Sequence, residues 1–146
     1  MRLDDTARAF LDGHQVGHLA TSDAGGAPHV VPVCYARIGD RLYFVADDKP
    51  KRHGPRALKR LANLAVNPRV ALVVDDYDAA WRHLAYLLVH ADAAAIDEPL
   101  EYDAALAALR ARYAPYRAMP LAIDTHPMVR LQPRRWHLWM PHADTA

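Results

Sequence analysis

The chain contains a single cysteine, Cys34, in 146 residues. No internal disulfide can form, and a reducing cytoplasm is the expected compartment. It contains a single serine, Ser22, outside any GxSxG context, which removes serine-hydrolase chemistry. Glycine is sparse. Neither GxGxxG nor GxxxxGK[ST] occurs, and Gly25-Gly26 lies in a turn rather than ahead of a helix, so Rossmann and P-loop readings both fail. No apolar run reaches the roughly 18–20 residues of a membrane span. Ala65-Val66 and Val70–Val74 are separated by Asn67-Pro68-Arg69. The start, Met1–Asp5, has no apolar core of a signal peptide. Histidine is plentiful, yet His14 and His18 sit among Gly13 and Gly17 where a helix should already have ended. No HExxH occurs and the lone cysteine cannot complete a zinc set, so no metal is expected.

What is present describes an ordinary globular domain. Hydrophobic residues make up 52% and charged residues 24%, close to typical usage. A chain this long can bury on the order of two-thirds of its unfolded surface, so one domain over residues 1–146 is expected. The excess of Arg over Lys and the many alanines read as coding bias. Net charge is only +1, but its distribution is uneven. Lys49–Arg60 holds six bases and no acid, leaving twelve bases against seventeen acids elsewhere.

The hydrophobic pattern gives the order helix, three strands, helix, two strands, helix, strand. Residues 3–12 place Leu3, Ala7 and Phe10/Leu11 on one helical face, with Asp4 or Asp5 as cap and Gly13 as stop. Val16–Ser22, Pro28–Ile38 and Arg41–Ala46 read as strands joined by turns at Asp23–Gly26 and Gly39-Asp40. Pro32 inside the second marks an edge or a bulge. Pro55 suits the first turn of a helix carrying Leu58, Leu61, Leu64 and Ala65. Arg69–Asp75 is apolar almost throughout and is expected to be buried on both faces. Trp81–Ile96 reads as one long extended segment. Pro99 opens a helix with Leu100, Ala104, Leu106 and Leu109 at helical spacing, to about Tyr113. Met128–Trp139 is a last strand, interrupted by Pro133. Six strands with short turns predict a mainly β, largely antiparallel sheet that closes into a small barrel with helices as plugs.

Two segments bear on chemistry. The basic run sits where a strand hands over to a helix, so backbone N–H groups and the helix dipole add to its positive potential. Like charges without a compensating acid favour a bound anion over bare surface. A local patch suits a small anionic ligand better than a nucleic acid, which needs a basic face. In the second strand, alternation puts Val31, Val33 and Tyr35 on one face and Pro32, Cys34 and Ala36 on the other. One face fills the core. The other is free for a flat aromatic ligand or a second subunit. Cys34, within an apolar run, reads as a small buried hydrophobe.

The ordered segments Gly17-His18-Leu19-Ala20-Thr21, Pro28–Tyr35, Leu42–Val45, the basic run, Asn63–Asp75 and Arg130–Trp136 resemble the pyridoxamine-phosphate-oxidase-like flavin and deazaflavin proteins. They look most like the branch of F420-dependent oxidoreductases. The resemblance covers nearly the whole chain. It implies a split, FMN-binding-like β-barrel and a homodimer with cofactors in grooves between subunits. It implies phosphate contacts from Lys51 and Arg52, with Lys49, Arg56 and Lys59 as further candidates. It places the ring system near Pro32, Val33, Cys34 and Tyr35, with Thr21 and Trp136 as wall residues from one subunit or the other.

The activity so implied is hydride transfer between F420 and a small organic substrate. The six-base run suits the several carboxylates of the F420 tail better than the one phosphate of FMN. An FMN-dependent oxidoreductase of pyridoxamine-phosphate-oxidase type, and a non-catalytic flavin, deazaflavin or haem binder, are the alternatives. No catalytic acid or base is assigned, with Tyr35 and His18 as candidate proton donors. Neither nucleic acid nor membrane is an expected partner.

Overall fold

The computed structural model describes residues 2–47 and 58–141. In chain order the elements are α1 (Asp5–Asp12), β1 (Val16–Ser22), β2 (Pro28–Cys34), β3 (Ala36–Ile38), β4 (Arg41–Val45), α2 (Lys59–Val66), β5 (Arg69–Asp76), β6 (Ala85–Ala95), α3 (Pro99–Arg112) and β7 (Met128–Trp139). The strands form one seven-stranded sheet in the order β2-β1-β5-β6-β7-β4-β3, antiparallel throughout. Its two outermost strands, β2 and β3, are consecutive in the chain and joined through Tyr35 alone. A sheet whose opposite edges are one residue apart must curl until those edges meet. Beyond Tyr35 the edges diverge, and this gives the expected split barrel with three α-helices.

The seventh strand arises because Pro28–Ile38 breaks at Tyr35. The backbone N–H of Tyr35 leaves the ladder and donates to the Tyr113 hydroxyl at 2.9 Å. The Tyr35 ring is 1% exposed, and its own hydroxyl lies 2.6 Å from the Leu11 carbonyl and 2.9 Å from that of His14. Pro32 is on an edge strand, the place in a sheet where proline is tolerated outside a bulge. Pro133 is accommodated differently. A register shift places His90 opposite Arg135 and Ala91 opposite Pro133, leaving Arg134 as the extra residue of a β-bulge. Pairing of β4 with β7 stops at Leu131, so Pro133 is not part of that ladder.

The main core fills the barrel. Leu19, Leu72, Leu87, Val89 and Leu131 pack there against Leu3, Ala7 and Leu11 of the N-terminal segment. Asp4 caps α1 by accepting from the Ala7 N–H at 2.8 Å. A second cluster lies between α3 and the β3–β4 hairpin, built on Tyr43, Val45, Tyr102, Leu106, Leu109 and Met128. The Glu98 carboxylate caps α3, accepting from Leu100 and Glu101 N–H groups. Helix α3 buries Tyr102, Ala105, Leu106 and Leu109, whereas Leu100 is exposed, so its buried face is rotated from the spacing first read. Trp81–His83 forms a 3-10 turn, so the long strand starts at Ala85.

Strand β5 is the informative departure. Its apolar run predicts burial on both faces, yet Val70, Leu72 and Val74 are buried while Ala71 and Val73 are only half-buried. The pairings put Ala71 and Val73 on one outer surface with Ala20, His18, Val30 and Pro32 of β1 and β2, and with Leu88 and His90 of β6. Among the described residues this sheet face is only partly covered, with Val30 61% exposed.

Gly17 on β1 is required by close approach. A Cβ there would lie 2.7 Å from Leu72 Cδ1 and 3.4 Å from Tyr35 Cδ1, both inside the core. Gly17→Ala is therefore expected to destabilise by about 1–2 kcal/mol, the overpacking penalty exceeding the unfolded-state gain. Thermal unfolding checks this, with a drop in Tm of about 3 °C per kcal/mol. An unchanged or raised Tm contradicts the packing described.

Candidate functional site

Strand β4 pairs with β3 only from Arg41 to Tyr43. From Phe44 onward its free edge looks across the split at the free edge of β2. Half the backbone polar groups of an edge strand have no ladder partner and are open to a ligand. A cavity of about 220 Å³ occupies this split. Val16, Pro32 and Cys34 line it from one side, Val45, Ala46 and Asp47 from the other, and Leu58 and Arg60 from the start of α2.

The N-terminus of α2 is built in an unusual way. Its N-cap is Leu58, with no side-chain hydrogen bond, and its first turn has no acid. Leu61 and Ala62 make the first intrahelical bonds, both to the Leu58 carbonyl. Lys59 and Arg60 therefore add two cations where N–H groups without an intrahelical partner already give positive potential. An anion is the group that relieves both. Lys59 is exposed and reaches the Asp23 carboxylate only at 4.0 Å. Asp23 has its pKa lowered, chiefly by the Ala27 N–H that it accepts.

The helix is held by asparagines as well as by leucines. Asn63, 1% exposed, donates to the Thr21 hydroxyl at 2.9 Å, and Asn67 donates to Ser22 at 2.8 Å. Leu61 and Leu64 lean on the main core. These two clamps fix α2 against β1 and so fix Arg60 in the split.

A buried polar cluster backs the cavity. The Tyr116 hydroxyl donates to Asp47 Oδ2, and both residues are 3% exposed. Burial, then the bond to the Asp47 carboxylate, pushes the Tyr116 pKa far up. Burial lowers that of Arg60, opposed by the Asp47 charge, and a guanidinium remains protonated regardless. The split thus has an apolar wall, a fixed cation and a buried carboxylate held by a tyrosine. Another cleft, of about 360 Å³, lies between Leu61, Leu64 and Ala65 of α2 and Ala93–Ala95 of β6. It has no charged or polar side chain in its lining, so it offers nothing to orient an ionic ligand.

Of the residues expected at the site, Lys49, Lys51, Arg52 and Arg56 lie outside the described residues. Pro32, Val33 and Cys34 line the split together, although the Val33 side chain points into the main core. Tyr35 does not join them. Its ring is core and its hydroxyl is spent on main-chain carbonyls, which removes it as a wall and as a proton donor. Thr21 is 3% exposed and serves as the anchor for Asn63. Trp136 packs half-buried on the main core and donates its indole N–H to the Arg2 carbonyl at 3.2 Å. Within one chain β6, β5 and β1 separate its strand from β2. His18 is exposed on the outer face, paired in register with Pro32. Arg60, Asp47 and Tyr116 were not among the expected site residues. Arg60 belonged to the basic run, and Asp47 precedes it. Nothing local marks Tyr116, whose partner is 69 positions away.

A family model described as pyridoxamine 5'-phosphate oxidase matches residues 3–140. No curated protein matches the sequence. Among solved structures, the haem storage protein HutZ from Vibrio cholerae superposes with a TM-score of 0.70 at 20% identity, covering 96% of this chain and 95% of that one. A haem-binding protein from Mycobacterium smegmatis gives 0.77 at 19% identity, over 98% of this chain and 57% of that one. An F420 reductase gives 0.64 at 23% identity, over 92% and 98%. Likeness at these identities establishes the shared fold. Among the described residues, no helix is long and apolar enough to cross a membrane.

Proposed function

The chain belongs to the pyridoxamine 5'-phosphate oxidase family, and from that premise we propose that it is an F420-dependent oxidoreductase acting on a small organic substrate. The observation that carries this is the uncapped, doubly cationic start of α2 beside the apolar split. Such a junction fits a ligand with a flat apolar body and a strongly anionic tail. Pro32, Cys34 and Val16 suit the ring system, and Arg60 with the α2 amides suits the tail. Lys51 and Arg52, with Lys49, Arg56 and Lys59, extend the anion site in this reading. FMN brings one phosphate to these bases and F420 brings additional carboxylates, so charge matching favours the deazaflavin.

When bound, reduced F420 supplies a hydride, and its carbon-for-nitrogen exchange suppresses one-electron and oxygen chemistry. The protein's part is then to orient two reactants and to exclude water. His18, exposed beside Pro32, is the candidate side chain for delivering the accompanying proton. Asp47 and Tyr116 hold the closed end of the split rigid.

A second copy completes the site in this reading. A volume of about 220 Å³ is below the roughly 300 Å³ at which ligand pockets begin. A tricyclic ring therefore needs one more wall. The partly covered outer face of Ala20, Val30, Pro32, Ala71, Val73 and Leu88 offers a surface for it. Its residues are half-buried or exposed in one chain, Val30 at 61%, although the β5 sequence is written for burial on both sides. A homodimer through this face covers it and brings the partner's surface over Pro32.

Equilibrium dialysis against F420, FMN and haem, with absorbance spectra, tests the cofactor. F420 is expected to be retained in preference to FMN, and pre-reduced F420 is then expected to be consumed with an electron acceptor. Retention of FMN with turnover favours the FMN-dependent enzyme. Retention of haem, or of any of the three without turnover, favours a carrier. Retention of none overturns the redox reading.

A further inference from the structure

We propose a second anion-binding site, for a phosphate dianion, in the groove that the β7 bulge opens on the outer sheet surface. The groove has a volume of about 390 Å³ and is lined by Arg69, His90, Asp92, Arg134 and Arg135 around Val70 and Ala91. It lies where β5, β6 and β7 run side by side, with Arg69 opposite Asp92 and His90 opposite Arg135. Strict alternation would send Arg134 and Arg135 to opposite faces of the sheet. The shift between His90 and Ala91 leaves Arg134 as the extra residue, and both arginines then serve one groove.

The electrostatics point to a ligand of two negative charges. Three guanidinium groups and one carboxylate line the groove. Arg134 spends its Nε–H on Asp92 Oδ2, so that pair is internally balanced. Among the described residues neither Arg69 nor Arg135 has a carboxylate partner. Two unpaired forks and an imidazole, facing one cavity, match the tetrahedral oxygens of a phosphate, which arginine binds bidentately. A carboxylate would occupy only one fork.

This site is separate from the split. Arg69 opens β5, while Val73, which pairs with the His18 that neighbours Pro32, lies four residues on, about 13 Å along the strand. The inference therefore does not rest on the F420 reading, and its test involves no tricyclic cofactor.

The experiment is calorimetric titration of the purified full chain with inorganic pyrophosphate, with a nucleoside 5'-monophosphate and with duplex DNA. Pyrophosphate is expected to bind at this groove, independently of any binding at the basic run. The variant Arg69→Ala with Arg135→Ala should weaken it by roughly tenfold or more, after allowance for solvent exposure. Arg135→Lys alone should lose less than Arg135→Ala, because charge is kept while the fork is lost. The pair Lys51→Ala with Arg52→Ala should leave this binding in place. The exposed arginines support no core contact, so circular dichroism of the double variant should match the parent. Comparable binding of the monophosphate identifies a phosphomonoester as the ligand class. The proposal is overturned by absence of pyrophosphate binding, by equal binding in the Arg69/Arg135 variant, or by loss confined to the Lys51/Arg52 variant. Arginine-dependent binding of duplex DNA alone overturns it in favour of a nucleic-acid contact.

Discussion

Above pH 10 the protein is expected to lose stability steeply and to unfold cooperatively before pH 12. Tyr35, Tyr102, Tyr113 and Tyr116 are all buried, none more than 7% exposed. Burial is the leading cause of a raised pKa in each, with Tyr102 pushed up to about 12. All four hydroxyls donate to oxygens that a phenolate could not satisfy: main-chain carbonyls for Tyr35, Tyr102 and Tyr113, and the Asp47 carboxylate for Tyr116. The native state therefore keeps four protons that the unfolded chain releases near pH 10. Because the folded values lie above the unfolded ones, this contribution is fully present below pH 10 and is lost as pH rises toward the folded values. Each such group removes about 1.4 kcal/mol per pH unit once the unfolded chain ionises. Four together remove roughly 5 kcal/mol per unit, against a total of about 5–15 kcal/mol for an ordinary domain. Tyrosinate absorbance followed with far-ultraviolet circular dichroism checks this. These four hydroxyls should ionise only together with loss of the sheet signal. Tyr113→Phe should make the transition less steep. Ionisation of these four near pH 10 with the sheet intact contradicts the burial described.

These tyrosines also mark where sequence reading reaches its limit. Periodicity found the extended segments, because alternation and turn residues are local signals, but read β2 and β3 as one strand. Pro32 marked an edge or a bulge and lies on an edge strand, whereas Pro133 lies in an interior strand at a bulge. Tyr35 could not be recognised as the point where the sheet's two edges join. Its role comes from Tyr113, 78 positions away, and from main-chain carbonyls of Leu11 and His14. An aromatic in a β-run reads equally well as ligand wall or as core, and only the closed barrel decides. Asn63 is a similar case. Leucine spacing assigned the buried face of α2, yet the residue most buried is the polar one, because Thr21 on β1 waits for its amide.

The basic run is expected to be an anion site on composition alone, most of it lies outside the described residues, and the start of α2 adds a separate argument for the same expectation. A helix that opens with Leu58, Lys59 and Arg60, without an acid or a side-chain cap, is less stable by itself than one opened by Ser or Asp. The missing cap is explained when a ligand does that work. The over-apolar β5 sequence makes the same kind of statement about the outer face. In both places the described residues leave a feature unsatisfied, one electrostatic and one hydrophobic, and the two meet around Pro32. Cofactor and second copy are therefore coupled expectations, and binding of one should promote the other.

Replacing Lys51 and Arg52 together by alanine is expected to weaken cofactor binding by two to four orders of magnitude. The figure follows from charge-assisted hydrogen bonds of about 1.5–3 kcal/mol each to the anionic tail, at about 1.4 kcal/mol per tenfold in Kd. Contacts left open to solvent are worth less, so a loss near the lower end indicates a tail exposed along its length. The two cofactors separate here. An F420 tail with several carboxylates should lose affinity steeply with added salt in the parent and much less in the variant, whereas FMN has one phosphate to lose. Arg60→Ala should add a further loss, since its side chain is already fixed in the split. Fluorescence titration of F420 across a salt series, with circular dichroism to establish that the variants are folded, measures both effects. Unchanged affinity in the Lys51/Arg52 variant moves the tail away from the junction. If the Arg60 variant alone loses affinity, the anion is held by the start of α2 without the preceding run.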